Sequence, residues 1–265
     1  MKPNRPVQKS KMFALHLDEI AAITKKLNES NLVMKRFLFN CLVYGGYRTG
    51  ELLHQQKEWI HINDEYAKSI EMDYVQIPER GQFCSCRACK LQTYLEQESS
   101  KEGVVYNKVW YEEIIKKFNP DIIDGRYWKP KTIDGARKIP ILYDDFKNEL
   151  IDFYQTKGNN KLDYSHQWIW EHIKEISIMI WGYTDVPSKS KDPLHEPYRR
   201  ANRRLYPHAL RATAASLWAL KGINATALKE IMGWSSVAIA DIYVMSDEKQ
   251  ALLTCKALVE KENKV

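Results

Sequence analysis

The chain lacks any long apolar run. Its longest, around Phe37 to Tyr44, falls far short of the roughly 20 residues that cross a bilayer, so no membrane span is expected. The N-terminal stretch MKPNRPVQKSKM is basic but has no apolar segment behind it, so it does not read as a secretory leader. Internal repeats and low-complexity tracts are missing too, which excludes solenoids and arrays. Cysteine is scarce, with five in 265 residues. With no leader, the expected location is the cytoplasm and the expected state is reduced thiols. What remains is an ordinary globular composition, 44% hydrophobic and 28% charged. The formal charge of +6 is compatible with nucleic acid without requiring it, so the placement of charge matters more than its sum.

Periodicity gives the organisation. Apolar residues Leu17, Ile20, Ala21, Ile23 and Leu27 predict a helix over Leu15–Leu27, and Asn31–Val43 a second one ending at Gly45-Gly46. A helix is expected from Thr49, then a strand Trp59–Ile62, a turn at Asp64–Tyr66 and a strand Ile70–Ile77. The stretch Glu79–Gly125 is the least regular and carries one clear amphipathic helix, Val109–Phe118. YWKPKTIDGARKIPIL reads as two strands joined by a turn at Asp134-Gly135. From Asp144 on the pattern is helical, broken by a loop at Pro187–Pro197. Helices, a small sheet, then helices again make an α+β chain, mostly helical with a small antiparallel sheet on one side.

The C-terminal segment YPHALRATAASLWALKGINATALKEIMGWSSVAIADIY holds the most informative chemistry. Pro207 opens a helix whose first turn projects His208 and Arg211, three apart and therefore neighbours. A helix start favours anions, and an Arg fork suits two phosphate oxygens. Asn224 is a natural cap for the next helix, Gly233 its stop, and Ser235 or Ser236 a cap for a short helix ending near Tyr243. Taken singly, each residue has a plain structural reading: His in a satisfied site, Arg on a surface, Trp234 and Tyr243 in the core.

Taken together, His-x-x-Arg, Gly-Trp-Ser-Ser and Tyr at these intervals resemble the catalytic domain of tyrosine recombinases, the phage integrase family. The Trp234 position is usually His in that family and sometimes Trp. The family's earlier Arg, in a Gly-x-Arg-x-x-Glu-Leu context, matches Gly46-Tyr47-Arg48-Thr49-Gly50-Glu51-Leu52. Its hairpin Lys matches Lys131-Thr132, followed by Arg137-Lys138-Ile139-Pro140. Lys129, two residues earlier and on the same strand face, is the competing assignment and otherwise a DNA contact. The resemblance covers residues 14 to 250, and the cysteine-bearing insertion looks like those of archaeal and archaeal-virus integrases.

The resemblance implies a catalytic set of Arg48, Lys131, His208, Arg211, Trp234 and Tyr243, supported by Glu51. It implies DNA cleavage and rejoining through a 3′-phosphotyrosyl link, with no metal or ATP in catalysis. The partner is double-stranded DNA at an attachment site, bound in a tetrameric synapse, in a nucleoid- or host-DNA-associated location. Arg199, Arg200, Arg203 and Arg204 would contact backbone phosphates if helical; their plain alternative is a solvated face. The expected organisation is a basic arm over 1–12, the catalytic domain over 13–246 with the insertion at 79–125, and a C-terminal helix over 247–265. With the catalytic pattern beginning near Phe13, no separate N-terminal DNA clamp is expected. Alternatives are a resolvase, a nicking-closing enzyme of the topoisomerase IB kind, or a DNA-binding regulator without catalysis.

Cys84, Cys86 and Cys89 form C-x-C-x-x-C. Three thiols this close suit a structural zinc or an iron–sulfur group, or stand as free thiols in a loop. His54 and His61 are candidates for a fourth ligand; Cys41 reads as core and Cys255 as part of the C-terminal helix.

Overall fold

A computed structural model of the chain describes residues 14–101, 107–156, 158, 162, 164–181 and 205–244. The basic arm, the loop at Pro187–Pro197 and the C-terminal tail of the sequence reading lie outside the described residues. The chain forms two compact units. One is built from the segments up to Ile77 and from Thr132 onward, the other from Pro78–Lys131. The fold is mostly helical α+β with small antiparallel sheets. Among the described residues, no helix is long and apolar enough to cross a membrane.

In the first unit, α1 (Leu17–Glu29) buries Ile20, Ile23 and Leu27, one stripe at helical spacing. It starts two residues later than expected because the backbone N–H of His16 donates to the Glu19 carboxylate and fixes the cap. The second helix, α2 (Val33–Val43), is buried continuously from Phe37 to Val43, as a helix enclosed by others must be. Around it pack α1, α7 (Asp144–Leu150), α8 (His166–Trp181) and α9 (Pro207–Leu220). Phe37 stacks on Phe153, ring centroids 4.3 Å apart, where π-helical turns at Ile151–Thr156 continue α7.

The three-stranded sheet of this unit has the order β1 (Ile60–His61), β2 (Tyr74–Ile77), β5 (Arg137–Pro140), all antiparallel. Ile77 faces Arg137 and Val75 faces Ile139 in register. Strand alternation turns Arg137 and Ile139 inward and Lys138 to solvent. Three expectations need correction. Lys57–Trp59 is a 3-10 turn, which shortens the first strand to Ile60–His61. The turn at Asp64 is a helix start: its carboxylate accepts from Ala67 N–H at 2.7 Å and caps α4 (Glu65–Ser69). Glu71, at φ 53°, then delays β2 until Tyr74.

The expected hairpin does not form either. Its two strands belong to different sheets: β5 pairs with β2, while β4 (Arg126–Tyr127) pairs with β3 (Phe83–Cys84) in the second unit. Pro130, which has no N–H for a ladder, and a 3-10 turn at Ile133–Gly135 separate them.

The second unit adds α5 (Arg87–Ser99) and α6 (Lys108–Lys117). The sequence reading gave α6 but not α5, whose apolar stripe of Leu91, Tyr94 and Leu95 is short and half-buried, with Cys89 the one buried residue.

After α9, the described residues of the first unit continue with α10 (Ala225–Met232) and α11 (Val237–Val244). Their punctuation is as the sequence predicts. Pro207 occupies the first turn of α9, Asn224 caps α10 through Ala227 N–H at 2.9 Å, and Ser236 accepts from Ala238 N–H at 3.2 Å.

Candidate active site

The site is assembled on Glu51, a carboxylate only 2% exposed. Arg48 precedes α3 (Thr49–His54), with Glu51 three residues on. The backbone N–H of Arg48 donates to one Glu51 oxygen at 2.8 Å and its guanidinium to the other at 2.8 Å. Arg137 reaches in from β5 and donates to both oxygens, at 2.7 and 2.8 Å. Arg211, from the first turns of α9, places its guanidinium 4.0 Å from the same carboxylate. Desolvation alone would raise the Glu51 pKa. The arginines, Arg137 foremost, reverse that and hold it at about 2.

Three guanidinium charges surround one carboxylate, so the cluster is left with two positive charges to offer. The side chains are also tied down by backbone carbonyls. Arg211 donates to Gly46 and Met232, Arg48 to Gly233, and Arg137 to Ile231 at 2.7 Å and Gly135 at 2.8 Å. A guanidinium has five N–H donors, so Arg48 and Arg211 keep donors beyond those that fix them. Burial, then the neighbouring Arg137, pushes the Arg211 pKa down; Glu51 opposes. This fixed cationic cradle suits the oxygens of a phosphate.

Gly233 makes the cradle's close approach. It ends α10 in the left-handed region, φ 60°, and a Cβ there would stand 2.5 Å from the Asp134 carbonyl oxygen. Trp234 follows, with its N–H on the Lys229 carbonyl at 3.0 Å. Its indole stacks on the Tyr243 ring of α11, centroids 5.2 Å apart and planes 18° from parallel. Tyr243 is buried, and the charge of its phenolate would raise the Arg211 pKa. Tyr206, just before α9, is a second phenol of the neighbourhood; burial and then Tyr243 raise its pKa. His208 lies exposed in the first turn of α9.

Arg48, Glu51, Arg211, Trp234 and Tyr243 are thus brought together in the first unit, with His208 one turn from Arg211. Arg137 was absent from the sequence-predicted site, where it served only as context for the lysine. Its signal was a charged residue in phase with the inward-facing Ile139. Lys131 is exposed at the end of the second unit, one peptide bond before Thr132. Lys129 is exposed and lies 3.8 Å from the Glu96 carboxylate of α5. Arg199, Arg200, Arg203 and Arg204 lie outside the described residues. In the second unit, Cys84, Cys86 and Cys89 converge, their sulfurs within 4.8 Å of one another. His61 bonds the Asp64 carboxylate and His54 the Gly50 carbonyl, each through Nδ1 at 2.6 Å.

No family model matches the chain, and no curated protein does. Among solved structures, the chain is similar to the Tn1549 transposon integrase in complex with transposon right end DNA, at 14% identity and a TM-score of 0.49, over 93% of this chain and 66% of that one. It is similar to XerA recombinase at 14% identity and a TM-score of 0.49, over 92% of this chain and 64% of that one. For XerH site-specific recombinase bound to difH substrate the values are 11% and 0.49, over 92% and 53%. The chain therefore spans between about half and two thirds of the length of these three.

Proposed function

We propose that the chain is a tyrosine-type site-specific recombinase of the integrase kind, acting on double-stranded DNA at an attachment site. One observation carries this reading: three arginines converge on the buried Glu51, and Arg48 also holds the carbonyl of Gly233, next to the Trp234 that stacks on Tyr243.

The Tyr243 hydroxyl attacks the scissile phosphorus. The bond from phosphorus to the 5′ oxygen breaks, and a 3′-phosphotyrosyl link keeps the phosphodiester energy. A phenol with an ordinary pKa near 10 is a weak nucleophile at neutral pH, so its proton must leave as the bond forms. His208 is the partner for that proton. Arg48 and Arg211 hold the two nonbridging oxygens and stabilise the charge of the pentacovalent transition state. Lys131, assigned on its sequence context, gives a proton to the departing 5′ oxygen. Trp234 packs against Tyr243 and offers one indole N–H, but carries no proton between groups. The 5′-hydroxyl of a partner strand then attacks the phosphotyrosine and releases Tyr243. Phosphodiester is exchanged for phosphodiester, which needs neither ATP nor a metal. Exchange between two duplexes takes four copies in a tetrameric synapse. The arginines at 199, 200, 203 and 204 are assigned to backbone phosphates.

The test is a duplex with a candidate attachment site and a nick beside the cleavage point, so that the cleaved strand cannot be resealed. Wild-type protein is expected to give a covalent protein–DNA adduct on a denaturing gel, and Tyr243→Phe none. An adduct with both would move the nucleophile to another tyrosine, Tyr206 first. Salt-sensitive DNA binding by both proteins, with no adduct on nicked DNA of the site they bind, would sink the enzyme reading in favour of a DNA-binding regulator.

A further inference from the structure

We propose that Cys84, Cys86 and Cys89 bind a zinc ion that holds the second unit, Pro78–Lys131, in its fold. The proposal is independent of the DNA chemistry. It begins from a deficit. Among the described residues of this unit only Cys89, Ile114 and Trp128 are buried hydrophobics, while Phe83, Val109, Ile122 and Tyr127 are exposed. Its one sheet is two residues long on each strand. A unit this small with so little core needs a covalent or metal staple. The chain places its only described cluster of thiols here, and none of the three is joined in a disulfide.

The geometry suits the ion. The three sulfurs lie within 4.8 Å of one another. Thiolates on a tetrahedral zinc at about 2.3 Å sit roughly 3.8 Å apart, so a slight closing brings them to bonding distance. Backbone donors already point at the ligand atoms. Cys86 N–H approaches Cys84 Sγ at 3.5 Å, and Cys89 N–H approaches Cys86 Sγ at 3.5 Å. Such outer contacts orient sulfur ligands and stabilise their negative charge. Cys86 is the N-cap of α5 and Cys89 lies in its first turn, so two of the sulfurs are fixed by the start of one helix. Cys84 sits in β3, opposite Arg126 of β4. An ion on all three sulfurs therefore ties the strand pair to the helix, the two parts that lack a core between them. Soft sulfur donors select zinc over calcium or magnesium, and a structural role needs no redox change. The fourth position is left to water or a nitrogen or oxygen side chain.

The experiment uses the full chain, purified with reductant and without chelator. Mass spectrometry of the metal is expected to find one zinc per chain. Cys84→Ser, Cys86→Ser and Cys89→Ser should each lose it, and Cys41→Ala should keep it. If the serine variants fail to fold, the wild type still decides. Stripped of metal and titrated with cobalt(II), it should show the intense sulfur-to-cobalt charge-transfer absorption and the visible bands of a tetrahedral site. Zinc should then displace the cobalt, and proteolysis within Pro78–Lys131 should be slower with zinc than with chelator. A chain without zinc that also gains no such absorption overturns the proposal. So does zinc retained by the folded serine variants, or iron with inorganic sulfide in place of zinc.

Discussion

Arg137 and Glu51, 86 positions apart in sequence, close a two-pronged ion pair at 2.7 and 2.8 Å. Both are almost fully buried, at 8% and 2% exposure. The pair joins the edge strand of the sheet to the helix that begins with Arg48, and it sets the negative point around which Arg48 and Arg211 are arranged. Without that carboxylate, three guanidinium groups would repel one another in a space that solvent does not screen. Arg137 is therefore a positioning residue: it holds Glu51, around which Arg48 and Arg211 are arranged.

Arg137→Met is expected to lower stability by about 3–5 kcal/mol, because a buried carboxylate loses its main partner while its desolvation cost remains. Urea unfolding at neutral pH measures this. The double variant with Glu51→Gln should lose less than the two singles together, since the second change removes the orphaned charge. Strictly additive losses would mean that the pair does not act as a unit.

Acid should weaken the fold through the same carboxylate. Glu51 has a folded pKa of about 2 against an ordinary 4.5. A depressed carboxylate contributes stability that is fully present above the ordinary value and disappears as pH falls through the folded one. The contribution is about 3 kcal/mol, lost between roughly pH 5 and 2. Wild type should exceed Glu51→Gln in stability at neutral pH, with the gap narrowing across that window. A gap that stays constant down to pH 2 would refute the assignment.

The legibility of this site in the sequence was uneven, for local reasons. The C-terminal helices announce themselves through Pro207, Asn224 and Gly233, each of which acts on its own neighbours. Their order puts His208, Arg211, Trp234 and Tyr243 at readable spacings. Arg137 could not be read in the same way, because a charged residue on a short strand is usually at the surface. Its burial depends on Glu51, far away in sequence. The turn signal Asp134-Gly135 misled for the converse reason. It is real, but β5 finds its partner in β2 rather than in the strand just before the turn. The helix over Arg87–Ser99 escaped because its short apolar stripe, Leu91, Tyr94 and Leu95, is only half-buried and stands among polar and charged residues.

Trp234 offers a test of the stack on Tyr243. Aromatic pairs of this kind are worth about 0.5–1.5 kcal/mol beyond burial. Trp234→Ala should therefore slow adduct formation on nicked DNA by about two- to tenfold, with DNA affinity little changed. Trp234→Phe keeps a ring against Tyr243 but removes the indole N–H, and should fall between the two. If Phe behaves as Ala does, the N–H matters and the stack does not.

Gly233 and Gly222 form a matched pair for separating backbone strain from crowding. Both hold left-handed backbone, at φ 60° and 86°, so an alanine at either costs about 1–2 kcal/mol. They differ in surroundings. A Cβ at Gly222 meets nothing within 4 Å, whereas at Gly233 it stands 2.5 Å from the Asp134 carbonyl and 3.0 Å from Arg137 Cδ. Relieving that clash would move α10 away from the turn, and with it the Gly233 carbonyl that Arg48 holds. Gly222→Ala should lower the unfolding midpoint modestly and leave adduct formation as in wild type. Gly233→Ala should cost more stability and also reduce adduct formation at temperatures where the protein is fully folded. Equal effects of the two substitutions on both readouts would show that the close approach of Gly233 has no part in ordering the cradle.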